Sequence, residues 1–141
     1  MSPHAAAEAD GITIDPVNIL QAYEKHKQQH KTIVIEGAGG LMVPLNRHYL
    51  VVDLIAALKE PVILVSSNYL GSINHTLLSV EALQRRGITI AGIIFNGEAN
   101  AATESIILQY TGLKCLLHLP LVPTLTAGFI AEQALQLRKA L

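Results

Sequence analysis

Cysteine is nearly absent: Cys115 is the only one among 141 residues. A single thiol can build neither a disulfide framework nor a cysteine-rich zinc site. It lies in the apolar run KCLLHLP, which predicts a buried, inert side chain. Charge is scarce as well, with 15% Asp, Glu, Lys and Arg and a net charge of −1. Scattered Lys and Arg with no basic excess leave no footprint for nucleic acid. Long apolar runs are lacking too. The stretch from Ile88 to Phe95 is far too short to span a bilayer, so no membrane partner is expected. Residues 1–15 show neither the basic start nor the apolar segment of a secretory signal, which points to the cytoplasm. What the chain has instead is 50% hydrophobic residues, which excludes a disordered or coiled-coil class. Its length suits one α/β domain over residues 1–141 with a continuous core.

Asp15-Pro16 reads as an N-cap followed by proline at the first helical position, with Ile19, Leu20 and Tyr23 at helical spacing beyond it. TIVIEG is an apolar run ending in glycine, which predicts a buried strand. VVDLIAALK predicts a short helix, and PVILVSS a second buried strand. From Ser72 to Arg86 the residues Ile73, Leu77, Val80 and Leu83 share one helical face, and Gly87 ends it. ITIAGIIFN predicts a third strand, NAATESIILQY a helix closed by Gly112, CLLHLP a fourth strand, and the segment after Thr126 a last helix. Nearly all-apolar strands alternating with helices predict a mostly parallel sheet with helices on both faces.

In such sheets ligands bind beyond the carboxyl ends of the strands. That rule selects EGAGG, SSNYLGSINHT, NGEAN and PLVPTLT. Several familiar motifs are missing. G-x-x-x-x-G-K-[ST] is absent, so these residues hold no Walker A loop. GAGG continues into Leu41 and Met42 rather than into G-x-G-x-x-G and a helix, which speaks against a dinucleotide fingerprint. Ser66, Ser67 and Ser72 lack a G-x-S-x-G elbow. The six histidines are scattered, and His26 and His30 lie on a polar helix tail as solvated residues. In EGAGG, glycines let the backbone approach phosphate oxygens, and Glu36 could ligate Mg²⁺. The same residues also suit a plain turn with a solvated carboxylate, and the segment alone leaves both readings open. LGSINHT places Gly71 and Ser72 at a helix start, where free N–H groups bind a carboxylate or phosphate. Without further context, an ordinary N-cap with a solvated first turn is the favoured reading there.

Taken together, SPH near the start, IVIEGAGGLMVPL, PVILVSSNYLGSINHTLLSVEAL, GITIAGIIFN and LPLV resemble dethiobiotin synthases, in that order and over nearly the whole chain. The resemblance implies a P-loop NTPase-like fold and a homodimeric, ATP- and Mg²⁺-dependent ligase of biotin biosynthesis. Its substrates would be 7,8-diaminopelargonic acid, CO₂ and ATP, and it would close the ureido ring through a carbamate and a carbamic–phosphoric anhydride. Carried over residue by residue, Glu36 would be a Mg²⁺ ligand, and Gly37, Ala38 and Gly39 would line the phosphate site. Asn96 would hydrogen-bond the adenine beside Gly97, with Pro120, Leu121 and Val122 as the wall of the base pocket. Leu70, Gly71 and Asn74 would hold the diamino acid across a dimer interface, and Ser2 and Pro3 match a segment near the substrate. The family's first strand, P-loop, catalytic Lys, substrate-binding Ser and Mg²⁺-ligating Asp have no counterpart in these residues. A late acidic residue near the nucleotide is also missing, unless Glu132 substitutes. The fold is therefore expected to lack its first strand and P-loop, to expose apolar surface, and to be inactive as a lone chain. None of the residues present is assigned as catalytic. The competing reading is a non-catalytic regulatory or interaction module that kept the fold and lost the P-loop.

Overall fold

A computed structural model describes residues Met1–Leu141. Its elements run α1 (Pro3–Ala9), α2 (Pro16–Gln29), β1 (Pro44–Asn46), β2 (Tyr49–Leu50), α3 (Val51–Leu58), β3 (Val62–Ser67), α4 (Ser72–Gln84), β4 (Ile90–Asn96), α5 (Ala101–Thr111), β5 (Cys115–Leu119) and α6 (Ala127–Ala140). The chain forms two compact units, Met1–Glu60 and Pro61–Leu141.

In the second unit β3, β4 and β5 make a parallel sheet in that order. Parallel neighbours need long crossovers, and α4 and α5 supply them. The central strand β4 is apolar on both sides because both sides are covered. Ile93 and Phe95 pack with Ile107 of α5 on one face. Ile94 packs on the other with Leu116 and Leu117 of β5 and with Leu137 and Ala140 of α6. Burying each such large side chain contributes about 1.5–3 kcal/mol. The protein is thus α/β, with a parallel sheet flanked by helices on both faces. Helix ends follow their local chemistry. The Asn100 side chain accepts from the Thr103 amide at 3.0 Å, and Gly112 ends α5 in the left-handed region at φ 66°. The Thr126 hydroxyl accepts from the Phe129 amide at 3.2 Å to start α6.

In the first unit the Asp15 carboxylate accepts from the Val17 amide at 2.9 Å, so α2 starts where the Asp-Pro pair predicts. The Tyr23 hydroxyl donates to Glu60 Oε1 at 2.5 Å, and Lys27 Nζ donates to the same oxygen at 2.8 Å. Together they tie α2 to Glu60, two residues beyond the end of α3. The hairpin β1–β2 and the short helix α1 have no counterpart in the sequence-based expectations. The hairpin turns on Asn46, whose side-chain oxygen accepts from the His48 amide at 2.9 Å.

Three local expectations change. Thr32–Glu36 is not a buried strand: no strand is formed there, and Val34 is 90% exposed. An apolar run becomes a strand only when its N–H and C=O groups find a ladder, and these find none. Cys115 is exposed rather than buried. Its thiol is held above its usual range, chiefly by partial desolvation. The inward face of α4 is Ser72, Thr76, Val80 and Leu83: Val80 and Leu83 are buried as expected, while Ser72 and Thr76 take the places expected for Ile73 and Leu77. Ile73 faces outward because the Thr76 hydroxyl turns in to meet Ser66 at 2.8 Å.

Exposed apolar surface is present on the sheet. PVILVSS forms a strand as expected but not a buried one: β3 is an outer strand, and its Ile63 and Val65 are 38% and 59% exposed. They alternate with Leu64 and Ser66, which face α5 and α4.

Candidate functional site

The three parallel strands finish level: Ser67, Asn96 and Leu119 are register partners across the sheet. Their loops therefore leave the sheet side by side. Asn96 is exposed at the end of β4, and the Gly97 amide donates to the Leu119 carbonyl at 2.8 Å. This bond sets Asn96 and Gly97 beside the segment entering Pro120, Leu121 and Val122. Pro120 and Leu121 are exposed, and Val122 is half-buried.

The loop after β3 runs into α4 through Gly71, whose φ of 99° lies in the left-handed region. Gly71 caps α4 without any side-chain bond. The Ser72 amide is used by the Tyr69 carbonyl and the His75 amide by the Gly71 carbonyl. The amides of Ile73 and Asn74 are therefore the first-turn donors the helix does not consume. The Ser72 hydroxyl oxygen is buried and has no partner. Tyr69 Oη lies 2.8 Å from His75 Nδ1, which steadies the loop from outside. Leu70, Gly71 and Asn74 line one cleft of about 810 Å³ together with Ser72, Glu98 and Asn100. Free amides, an unpartnered hydroxyl and the positive end of a helix suit an anion.

A third feature was not foreseen. Glu104 Oε1, on a side chain only 18% exposed, accepts from Asn68 Nδ2 at 2.6 Å and from the Asn100 amide at 2.9 Å. It also lies 3.5 Å from His118 Nε2. Asn68 Nδ2 donates in addition to the Glu98 carbonyl at 2.8 Å. The signal was present in NAATE, an Asn cap with an acid four residues on, and it reads as helix capping until the fold brings Asn68 alongside.

Glu36, Gly37, Ala38 and Gly39 belong to the first unit, where all four are exposed. Gly39 has φ 84°, and a Cβ there would stand 3.0 Å from Val43. A Cβ on Gly37 would stand 3.2 Å from Val51. The glycines thus fit a loop drawn close over its own following segment. Ser2 Oγ lies 3.0 Å from His4 Nδ1 at the start of α1. No three His, Cys, Asp or Glu side chains converge as a metal cage. Mg²⁺ held with nucleotide phosphates needs only one or two carboxylates, the rest being phosphate and water oxygens. A single exposed Glu36 fits that role and no fuller one. No helix is long and apolar enough to cross a membrane.

Residues 1–128 match the family model described as an AAA domain. The chain belongs to this family. AAA-domain proteins of this group are P-loop NTPase-like, in keeping with the parallel sheet. The AAA-domain chain is 45% identical over 137 residues to the ATP-dependent dethiobiotin synthetase of Cytophaga hutchinsonii, covering 97% of this chain and 65% of that protein. It is 48% identical over 141 residues to the protein of the same name from Christiangramia forsetii, covering 100% and 65%. Against that of Rhodopseudomonas palustris the figures are 46% over 125 residues, 89% and 56%. The chain thus spans 56–65% of the length of these relatives.

Proposed function

We propose that this chain works as part of an ATP-dependent dethiobiotin synthetase, a cytoplasmic homodimeric ligase closing the ureido ring from 7,8-diaminopelargonic acid and CO₂. The observation that carries the reading is 45–48% identity over 97–100% of the chain to proteins of that name. In this reading the two units are parts of one domain. Glu36 ligates Mg²⁺, and Gly37, Ala38 and Gly39 give the phosphates room by leaving the loop without bulk. Mg²⁺, when bound, neutralises charge on the transferring phosphoryl group. Asn96 donates to and accepts from the adenine edge, with Gly97 beside it and Pro120, Leu121 and Val122 as an apolar wall. Support for this comes from the Gly97–Leu119 bond, which keeps those two segments adjacent. Leu70, Gly71 and Asn74 hold the carboxylate end of the diamino acid, supported by the unused amides of Ile73 and Asn74 and the unpartnered Ser72 hydroxyl.

These 141 residues contain no P-loop, so the reading expects no turnover by the chain alone. The test is dethiobiotin formation with ATP, Mg²⁺, bicarbonate and diaminopelargonate. The chain is assayed alone and then mixed with a P-loop segment taken from the Cytophaga hutchinsonii relative. Product only in the mixture supports the reading. Turnover by the chain alone refutes the expected inactivity. No product in the mixture, with the intact relative active, favours the non-catalytic module instead.

A further inference from the structure

We infer that Glu104 is a positioning residue that fixes the substrate-side loop Asn68–Gly71 against the loop after β4. The inference rests on the reading of the α4 N-terminus as the place for the diamino acid's carboxylate.

Three features of the geometry carry it. First, one carboxylate oxygen serves two loops: Glu104 Oε1 takes Asn68 Nδ2 at 2.6 Å and the Asn100 amide at 2.9 Å. Second, the Asn68 amide group spends both its donors on this side, the other going to the Glu98 carbonyl at 2.8 Å. That pair fixes the plane of the amide and hence the start of the loop that leads through Leu70 and Gly71 into α4. Third, Gly71 gives α4 no side-chain cap, and the Ser72 amide is bonded only to the Tyr69 carbonyl within the same loop. The direction in which the Ile73 and Asn74 amides point is therefore set by the loop, and the loop is pinned at Asn68. Glu104 itself lines no part of the cleft, so it acts through Asn68 and not on a ligand. A carboxylate accepting hydrogen bonds on a largely buried side chain makes stronger bonds than a neutral acceptor would.

The test uses the 141-residue chain. Binding of 7,8-diaminopelargonate is followed by backbone amide shifts of Ile73 and Asn74 in ¹⁵N spectra, for wild type, E104A, E104Q, N68A and the E104A/N68A pair. Circular dichroism checks that each variant is folded. Losing this pin weakens binding by about tenfold in E104A and in N68A, and the double variant is no weaker than either single one. Gln keeps an acceptor at the same reach, so E104Q stays within about threefold of wild type. A loss in E104A that E104Q does not restore overturns the positioning role. Equal binding by wild type and E104A overturns it as well and leaves the substrate reading standing. Absence of binding by folded wild type, both alone and mixed with the P-loop segment of the Cytophaga hutchinsonii relative, overturns the substrate reading, and this inference with it. If E104A does not fold, N68A and E104Q decide. N68A binding like wild type sinks the proposal, and weakened N68A beside intact E104Q supports it.

Discussion

Gly92 is the third residue of β4 and lies beside the start of β5. A Cβ built there would lie 2.7 Å from Leu116 Cγ and 2.8 Å from the Lys114 carbonyl oxygen. The leucine is a side chain and could shift within the cluster it forms with Ile94 and Leu117. The carbonyl could not, because it accepts the Ile93 amide at 2.9 Å. Forcing a methyl into a packed core costs about 1–3 kcal/mol. Lengthening one ladder bond adds roughly 1 kcal/mol. Gly92→Ala is therefore expected to lower stability by about 2–4 kcal/mol. At about 4 °C per kcal/mol for a chain of this length, Tm falls by about 8–16 °C. The assay is thermal unfolding by circular dichroism, paired with urea midpoints at unchanged m-value. Gly128→Ala is the control, since nothing lies within 4 Å of a Cβ there, and it gains up to about 1 kcal/mol from a less flexible unfolded chain. A Gly92→Ala Tm within a degree of wild type would refute the close approach of the two strands.

Two further outcomes follow from side-chain pairs. Glu60 is held below its ordinary carboxyl range by its bond from Lys27 first and from Tyr23 second. A depressed carboxyl pKa stabilises above the unfolded value and loses that contribution as pH falls through the folded one. Glu60→Gln should therefore flatten the decline of Tm below about pH 4.5, and an unchanged acid limb would show the bond to be absent in solution. The Ser66–Thr76 hydroxyl pair is buried. Thr76→Val strands Ser66 and costs about 1–3 kcal/mol, whereas Ser66→Ala with Thr76→Val recovers most of it. Urea midpoints of Thr76→Val, Ser66→Ala and the double variant decide this, and additive losses would contradict the pairing.

Much of the second unit was legible because its signals are local. Apolar runs gave β3, β4 and β5; Asn100, Gly112 and Thr126 marked helix ends by capping chemistry that needs no tertiary context. Half of the α4 face, Val80 and Leu83, was read correctly; Thr76 was missed because hydrophobicity alone assigned the stripe, and a hydroxyl satisfied by Ser66 is as content inside as a leucine. Glu104 was missed for a related reason. Its partners Asn68 and His118 are 36 and 14 residues away in sequence, and only the parallel register brings them to one carboxylate.

The run Thr32–Glu36 shows the limit of periodicity from the other side. Its residues are those a buried strand would use, yet Val34 and Ile35 stay 90% and 48% exposed. Burying one such side chain would contribute about 1.5–3 kcal/mol. That gain is open only to a segment whose backbone groups are paired at the same time, since an unpaired buried amide costs about as much as the side chain returns. Apolar sequence therefore specifies that a strand is favourable once a ladder exists, and it says nothing about where the ladder comes from. The same holds for Ile63 and Val65 on β3, an outer strand of the sheet with one edge unpaired. Sequence patterns located these surfaces correctly as apolar, and pairing, which is a property of two segments, decided which of them became core.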